Sequence, residues 1–317
     1  MTLIEKWRSC QISNFQPVRI AAVIEAICNL SCEHCFWAHD MRDQSRPDWK
    51  LQSSFISNMR VPVLYSGRIL STNGMAFLNA CLEAGIENFG IVDNGYTIFQ
   101  APDEWLKRFG SINISIDGWK TAHDKQRAKE GSFDVAWDAV LKLKEKGLDP
   151  IISCAFSHLT FDDWDRFQDM IEEHDVRLSS TLVITNKEVL ARGVANFVDR
   201  DTIVRAFELL IGGVPKLINL YDLEHVKVLA PILKGMKWEN DMTEGDSLVA
   251  VLQNETRIVY RPQSVLCAGE IALRWDGKFY SQGVQFMQFS PIEDWGRIDP
   301  GIHEVNRDEV EVWSQIW

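Results

Sequence analysis

The sequence lacks a long apolar run, an apolar start and an excess of basic residues. No stretch approaches the roughly 18 apolar residues that a membrane-spanning helix needs, and the first residues contain no apolar core of a signal peptide. The 33 Lys and Arg residues are outnumbered by 45 Asp and Glu residues, which gives a formal net charge of −12. Such a charge does not favour non-specific nucleic-acid binding, which needs cations facing the phosphates. We therefore predict a cytoplasmic protein that binds neither membranes nor nucleic acid.

Internal repeats and low-complexity segments are also absent, and 46% hydrophobic with 25% charged residues is the composition of a globular protein. The 317 residues predict one large domain with an appendage. Six strand-like segments alternate with helical ones, at residues 18–24, 61–65, 88–92, 111–116, 151–156 and 177–183. This alternation predicts an α/β fold with parallel strands and right-handed crossovers. We expect an open or partial (β/α)6 barrel over residues 1–215.

The fourth predicted strand shows which of its faces is polar. Ser111, Asn113, Ser115 and Asp117 alternate with isoleucines, so the polar residues share one face of the strand. We expect the isoleucines to pack under the helices and the polar residues to line the barrel interior. In such barrels the chemistry lies at the C-terminal ends of the strands.

The pattern changes after about residue 215. A helical segment at 221–233 and a polar segment at 237–246 precede two strand-like segments, 264–275 and 278–284. Asp276-Gly277 between them is typical of a type I′ hairpin turn. A short helix is expected at 310–317. Residues 216–317 are therefore predicted to form a small α+β region containing a β-hairpin.

The seven cysteines are few, but three of them, Cys28, Cys32 and Cys35, lie within eight residues directly after the first predicted strand. In a reducing compartment, clustered cysteines indicate metal binding or catalysis rather than disulfides. Three thiolates on one loop can hold three corners of an iron–sulfur cube. A zinc site with His34 as fourth ligand and chance clustering remain as alternatives. Zinc sites usually contain two separated ligand pairs, and the sequence has no second pair.

The Cys-x3-Cys-x2-Cys motif after a first strand resembles the radical S-adenosylmethionine (SAM) superfamily. The resemblance extends over residues 18–160 and includes Ser115-Ile116-Asp117-Gly118, His123-Asp124, Arg127 and Gly131-Ser132-Phe133. It implies a partial radical SAM barrel whose three cysteines hold a [4Fe–4S] cluster. It also implies that the fourth iron binds SAM.

The same resemblance implies contacts with SAM for several other residues. Ser115 and Asp117 would lie near its ribose and methionyl end. Arg127 would pair with its carboxylate, an anion that a planar guanidinium suits. Asn94 lies in a segment similar to the family's Thr-Asn-Gly turn, although an Asn-Gly pair also forms ordinary turns. His34 occupies the position of an aromatic residue that packs against the adenine.

One segment departs from the family pattern. After the second strand the family usually carries Gly-Gly-Glu, which receives the SAM ammonium group, whereas this chain has Ser66-Gly67-Arg68. A backbone carbonyl near Ser66 or Gly67 can accept that hydrogen bond instead. Arg68 cannot replace the carboxylate, because it is a cation beside a cation. We expect its side chain to turn outward, with contact to a substrate anion as the alternative.

The C-terminal region resembles a reduced SPASM or Twitch domain around Cys267, Gly277 and residues 295–313. Cys10, Cys81 and Cys154 are the other cysteines outside the motif, so we do not expect a full auxiliary cluster. Cys81 and Cys154 are predicted to be core residues. Cys267 has three interpretations: a buried apolar residue, a hydrogen-atom donor to a substrate radical, or a ligand of an auxiliary cluster.

The resemblance implies reductive cleavage of SAM to a 5′-deoxyadenosyl radical, which abstracts a hydrogen atom from the substrate. We expect a peptide substrate in natural-product maturation, with epimerisation, rearrangement or crosslinking as the outcome. An aminosugar or other small metabolite, and a non-catalytic iron–sulfur protein on a decayed barrel, are the alternatives. A reductase such as flavodoxin or ferredoxin would supply the electron. Only residues 1–17 precede the first predicted strand, so any leader peptide is expected to bind a separate partner or the barrel itself. The tryptophans expected to line a substrate groove are Trp37, Trp119, Trp275 and Trp295.

Overall fold

The structure is a computed structural model that describes residues 19–25, 28–32, 34–35, 47–68, 70–183, 199–241, 247–260, 270–282, 289–291 and 307–316. Within these ranges, thirteen strands form one sheet in the order β13-β12-β11-β1-β2-β3-β4-β5-β6-β7-β10-β9-β8. The described part of the sheet is open, because its two edge strands, β13 and β8, do not pair with each other. This architecture confirms the predicted α/β fold with a partial barrel.

The centre of the sheet consists of seven parallel strands that lie side by side in chain order. They are β1 (Arg19–Val23), β2 (Val63–Ser66), β3 (Phe89–Asp93), β4 (Phe109–Ser115), β5 (Ile151–Phe156), β6 (Arg177–Leu182) and β7 (Leu217–Leu220). The six strands predicted within residues 1–215 are all present as β1–β6, and β7 adds a seventh parallel strand that was not predicted. β7 contains four residues and one of them is asparagine, which left too short an apolar pattern to recognise. It begins after residue 215, so the parallel sheet continues past the predicted domain boundary, and the division into two domains stays a prediction.

Helices connect these strands. They are α1 (Trp49–Met59), α2 (Thr72–Glu83), α3 (Asp103–Leu106), α4 (Lys120–Gln126), α5 (Ser132–Glu145), α6 (Trp164–Glu173), α7 (Arg200–Ile211), α8 (Leu223–Leu233) and α9 (Arg307–Ile316). Among the residues that the structure describes, none of the helices has both the length and the apolar character to cross a membrane.

The two faces of the sheet differ as the alternation in β4 predicts. Ile112 and Ile114 are buried in the main hydrophobic core, whereas Ser111, Asn113 and Ser115 are only partly buried. Cys81 on α2 and Cys154 on β5 are buried in the same core, as expected. One face of the central strands is therefore apolar and packed, and the other carries small polar side chains.

The C-terminal part of the chain supplies strands to both ends of the sheet. β8 (Trp238–Asp241), β9 (Ser247–Val251) and β10 (Arg257–Tyr260) extend it beyond β7, to which β10 is parallel. β11 (Glu270–Arg274), β12 (Phe279–Gln282) and β13 (Phe289–Pro291) extend it beyond β1, to which β11 is parallel. The segment predicted as polar at 237–246 contains β8.

The predicted hairpin is present as β11 and β12, but its turn is not of type I′. Gly277 has a φ of 74°, whereas Asp276 is not among the residues with positive φ, and a type I′ turn requires positive φ at both central positions. The Gly277 N–H donates to the Arg274 carbonyl, and the Arg274 N–H donates to the Lys278 carbonyl. This is the longer hairpin loop in which a single left-handed glycine follows a tight turn.

Of the four tryptophans predicted to line a substrate groove, Trp37 and Trp295 lie outside the described residues. Trp275 is 1% exposed and packs with Val23, so its predicted place in a groove is wrong. Trp119 is partly buried against the core and lies under Arg166, whose guanidinium carbon is 4.1 Å from the ring centre. Both rings therefore contribute to packing.

Candidate functional site

The cysteine loop leaves the C-terminal end of β1. Cys28 is exposed, Cys32 is buried and Cys35 is intermediate, and no disulfide joins them. The Leu30 N–H donates to Cys28 Sγ at 3.4 Å, and the Cys35 N–H donates to the Cys32 carbonyl at 3.1 Å. The loop thus presents its thiols at the edge of the sheet where strands β1–β5 all end.

In the described part of the chain, no three His, Cys, Asp or Glu side chains converge on one point. The choice between a zinc ion and an iron–sulfur cluster at this loop therefore stays a prediction. A [4Fe–4S] cluster attaches each thiolate to a different iron and spreads its ligands more widely.

A buried ion pair lies directly behind Cys32. Arg127, at the C-terminal end of α4, donates from Nε to Asp117 Oδ2 at 2.5 Å and from Nη2 to Asp117 Oδ1 at 2.8 Å. The Arg127 Nη1 is 3.9 Å from Cys32 Sγ. The side chain of Arg127 is 11% exposed and that of Asp117 is 0% exposed. Two residues that the sequence separates by an entire helix are thus joined beside the cysteine loop.

The Asp117 carboxylate remains ionised in spite of its burial. Burial raises the pKa of this carboxyl, but Arg127 and then His34 more than compensate and hold the pKa at about 2. The Ala155 N–H also donates to Asp117 Oδ1 at 3.0 Å. The Asp117 oxygens are therefore occupied by protein donors, and its predicted contact with SAM stays a prediction.

His34 lies between the cysteine loop and this ion pair. Its Nε2 is 3.8 Å from Asp117 Oδ2, and burial lowers the pKa of its imidazole to about 4, so the ring is neutral at pH 7. The buried Nδ1 of His34 has no hydrogen-bond partner among the described residues. The adenine contact expected for His34 from the sequence stays a prediction.

Helix α4 is fastened to the ends of β4 and β5 by its polar face. The Asp117 N–H donates to His123 Nδ1 at 3.0 Å. Gln126 Nε2 donates to the Ala155 carbonyl at 2.6 Å, and Ser157 Oγ donates to Gln126 Oε1 at 2.5 Å. These bonds hold α4, and with it Arg127, in one orientation.

The Gly131-Ser132-Phe133 segment has a structural role beside the site. Asp124 Oδ1 accepts hydrogen bonds from the Phe133 N–H at 2.8 Å and from Ser132 Oγ at 2.9 Å, and Asp124 Oδ2 accepts one from the Gly131 N–H at 2.7 Å. A carboxylate at the start of α5 satisfies helix N–H groups that have no partner within the helix. The family-like motif thereby ties α4 to α5.

Asn94 connects the turn after β3 to the cysteine loop. Its Nδ2 donates to Asn29 Oδ1 at 2.8 Å and lies 3.9 Å from Cys28 Sγ. Asp93 Oδ1 accepts the Gly95 N–H at 2.7 Å. Gly95 has a φ of 87°, and a Cβ there would lie 2.7 Å from the Cα of Ala136. Only glycine fits this turn, which directs Asn94 toward the cysteines.

The segment after β2 lies at the same edge. The Gly67 N–H donates to the Val92 carbonyl at 3.3 Å, and the Arg68 carbonyl accepts the Tyr65 hydroxyl at 3.0 Å. Ser66, Gly67 and Arg68 are all partly buried, so the carbonyl contact to SAM and the outward position of Arg68 stay predictions. Ser115 ends β4 beside Ser153 of β5. Cys267 lies outside the described residues.

Those predicted site residues that lie within the described ranges thus meet at the carboxyl edge of β1–β4. Sequence reasoning missed Asn29, Gln126 and the buried Asp93, whose pKa burial raises to about 6. Gln126 could have been found from its position in the sequence. It lies three residues after His123 and one before Arg127, a spacing that puts all three residues on one face of a helix.

No protein-family model matches the chain, but it is similar to a curated protein and to solved structures. It is 23% identical over 172 residues to the sporulation killing factor maturation protein SkfB of Bacillus subtilis (strain 168). The match covers 52% of this chain and 41% of SkfB, so it spans less than half of the length of that curated relative.

Two solved structures share the fold. SuiB of Streptococcus suis, solved with its precursor peptide SuiA, superposes with a TM-score of 0.64 at 12% identity over 95% of this chain and 67% of SuiB. SuiB has also been solved with S-adenosylmethionine. anSMEcpe with bound AdoMet superposes with a TM-score of 0.56 at 13% identity over 92% of this chain and 84% of that one. The chain thus shares the fold of SuiB and anSMEcpe, and its cysteine motif after β1 resembles that of the radical SAM superfamily.

Proposed function

We propose that the chain is a radical SAM enzyme in which Cys28, Cys32 and Cys35 hold a [4Fe–4S] cluster. The observation that carries this proposal is the donor environment of the thiols. Asn94 Nδ2 is 3.9 Å from Cys28 Sγ, and Arg127 Nη1 is 3.9 Å from Cys32 Sγ. Thiolates bind metals. Burial raises the pKa of the Cys32 thiol to about 11, although Arg127 acts in the opposite direction, and a coordinated metal would hold the thiol in its deprotonated form, so these residues fit a cluster.

The cluster has three protein ligands in this proposal, and its fourth iron is open to the amino and carboxylate groups of SAM. The bound cofactors supply reductive cleavage of SAM and hydrogen-atom abstraction from the substrate. The protein binds and orients these groups and keeps water from them.

The carboxyl edge of the central strands provides candidate contacts to SAM. Arg127 has five N–H donors, of which Asp117 and Cys32 engage three. The remaining hydrogens of Nη1 and Nη2 are proposed to bind the SAM carboxylate. Carbonyl oxygens near Ser66 or Gly67 are proposed to accept from the SAM ammonium group. Ser115, His34 and Asn94 complete the proposed set.

A peptide is the proposed substrate. SkfB is described as a maturation protein, SuiB has been solved with its precursor peptide, and anSMEcpe has been solved with a peptide. These descriptions support the peptide over the aminosugar or other small metabolite. Natural-product maturation by epimerisation, rearrangement or crosslinking is the proposed outcome, and a flavodoxin or ferredoxin reductase is the proposed electron donor.

The test is anaerobic reconstitution of the full chain with iron and sulfide, followed by dithionite and SAM. We expect formation of 5′-deoxyadenosine, measured by liquid chromatography, and a faster rate with a substrate peptide. A protein that binds about four irons but forms no 5′-deoxyadenosine would instead be a non-catalytic iron–sulfur protein. No iron binding at all would contradict the proposal from its first step.

Cys267 is proposed as a hydrogen-atom donor that quenches the substrate radical, because an S–H bond is weak enough to give up its hydrogen. The thiyl radical left on Cys267 then takes up one electron from the proposed reductase and one proton from water. A product epimerised in deuterated solvent should then carry one solvent deuterium, detected by mass spectrometry. The Cys267→Ser variant should still form 5′-deoxyadenosine with substrate but release little inverted product, since an O–H bond is too strong to donate. Normal turnover of this variant would make Cys267 a packing residue.

A further inference from the structure

The ion pair of Asp117 and Arg127 has a property that binding of SAM does not require. Asp117 is 0% exposed, so its carboxylate does not reach the surface of the site. Its oxygens accept from Arg127 Nε, Arg127 Nη2 and the Ala155 N–H. Asp117 therefore acts on its surroundings through Arg127.

The arginine is also directed at one particular cysteine. With Nε and Nη2 held by Asp117, the guanidinium plane is fixed, and Nη1 lies 3.9 Å from Cys32 Sγ. Cys32 is the buried member of the three cysteines, so water screens the charge of Arg127 least at this corner. The positive end of the buried pair thus faces the sulfur and its negative end faces away.

Hydrogen bonds to cluster sulfurs, nearby charge and solvent exposure set the reduction potential of an iron–sulfur cluster. A cation with an N–H donor at a ligand sulfur favours the reduced cluster, which carries one more electron. A buried carboxylate behind that cation has the opposite effect.

We propose that Arg127 donates an N–H hydrogen bond to Cys32 Sγ and raises the reduction potential of the cluster, and that Asp117 is the positioning residue that orients Arg127 and moderates its charge. This inference rests on the proposed function only in that Cys32 ligates a [4Fe–4S] cluster. The affected step is the uptake of one electron by the oxidised cluster, with dithionite as the donor in the test.

The experiment is a redox titration of the reconstituted full chain, without SAM and without peptide, followed by electron paramagnetic resonance. We expect Arg127→Gln to shift the midpoint potential to a more negative value, because it removes a cation and a hydrogen bond. Asp117→Asn should shift it to a more positive value, because it removes an anion while the asparagine side-chain oxygen still accepts a hydrogen bond from Arg127 and keeps it oriented.

Matched controls come from the exposed pair of Arg177 and Asp149, whose Nη2 and Oδ2 atoms are 2.7 Å apart. Arg177 is the first residue of β6, whereas the cysteine loop follows the last residues of β1. Arg177→Gln and Asp149→Asn make the same charge changes and should leave the midpoint potential at the parent value. Shifts of equal sign in the two site variants, or shifts no larger than those of the controls, would overturn the proposal.

Either site variant leaves a buried charge unpaired and can fail to fold or to bind iron. The double variant Asp117→Asn with Arg127→Gln buries no unpaired charge and decides that case. A midpoint more negative than that of the parent supports the hydrogen bond to Cys32, and an unchanged midpoint overturns it. The titration contains no SAM. If the variants show the expected potential shifts but the parent protein does not cleave SAM, the proposed function is contradicted and this inference still stands.

Discussion

Among the described residues, the pairs Asp117–Arg127 and Tyr260–Glu309 are both buried and both hold a helix against the sheet, but their surroundings differ. Asp117 and Arg127 lie beside the cysteine loop and make contacts with Cys32 and Ala155. The Tyr260 hydroxyl donates to Glu309 Oε1 between β10 and α9. The tyrosine and the glutamate are both 0% exposed.

The surroundings of the second pair are aromatic. The Trp313 ring centre is 4.6 Å from that of Tyr260 and 4.9 Å from that of Trp238. The comparison indicates that a buried pair near the cysteines directs a donor toward a sulfur, whereas the Tyr260–Glu309 pair attaches a terminal helix. Variants of the Asp117–Arg127 pair should change the reduction potential of the cluster, and variants of the Tyr260–Glu309 pair should change the free energy of unfolding.

The largest expected effect comes from replacing Cys28, Cys32 and Cys35 together with alanine. Iron binding and 5′-deoxyadenosine formation should both fall to background, because no thiolate remains on the loop. Iron content after reconstitution and chromatography of the reaction measure the two losses. Cys81→Ala on α2 is the control, since that thiol is buried in the core, and it should keep the full iron content. About four irons in the triple variant would contradict the cluster assignment.

Acid should destabilise the cluster-free protein through His123. Burial lowers the pKa of His123 in the folded state from 6.5 to about 4, so the unfolded state binds the proton more tightly. The stabilisation is complete above pH 6.5 and disappears as the pH falls through 4, and 1.36 kcal/mol per pKa unit makes it about 3 kcal/mol. Protonation also turns Nδ1 from an acceptor of the Asp117 N–H into a donor.

Urea unfolding between pH 4 and pH 7 measures this effect. His123→Asn should flatten the pH dependence of the free energy of unfolding, because the asparagine oxygen still accepts the Asp117 N–H and does not titrate. His158→Asn changes an exposed histidine and should leave the slope as it is. If the pH dependence of the free energy of unfolding is unchanged in the His123 variant, protonation of His123 does not cause the loss of stability in acid.

At the Tyr260–Glu309 pair, Tyr260→Phe should lower the free energy of unfolding by about 1.5–3 kcal/mol, because it leaves the Glu309 carboxylate buried without its phenol donor. The double variant Tyr260→Phe with Glu309→Leu should recover most of that loss, since it removes the buried carboxylate together with its donor. Chemical unfolding measures both changes. SAM cleavage per reconstituted cluster should stay at the parent value, and a loss of cleavage in the folded variants would remove the distinction between the two pairs.

The smallest effect is expected at Arg68, beside the site but outside the buried pair. Arg68→Gln should leave SAM cleavage without substrate within a few-fold of the parent, because the backbone carbonyl of Arg68 rather than its side chain holds Tyr65. If the side chain binds a substrate anion, peptide turnover should fall while this cleavage persists. A large loss of cleavage in the absence of peptide would mean that Arg68 shapes the SAM site directly.

Strand–helix alternation was sufficient to predict the parallel α/β core, because period-2 and helical patterns are local. The four-residue β7 was missed because its apolar pattern is too short to recognise, and the turn at Gly277 was assigned the wrong type. The sequence shows an Asp-Gly pair there, but the loop length that decides the turn depends on which residues of β11 and β12 pair.

The location of the site was predictable for a related reason. Parallel strands bring their carboxyl ends to one edge, so residues that follow separate strands meet there. The bidentate pairing of Asp117 with Arg127 was not predictable, because it depends on the path of α4. That path is set by the bonds of His123, Gln126 and Asp124 with three other segments.

The most direct test of the account is the electron paramagnetic resonance spectrum of the dithionite-reduced protein before and after addition of SAM. A cluster held by Cys28, Cys32 and Cys35 leaves one iron without a protein ligand, so SAM should bind there and change the g values of the spectrum. A [4Fe–4S] spectrum that stays the same when SAM is added in excess would contradict the open iron and, with it, the proposed function.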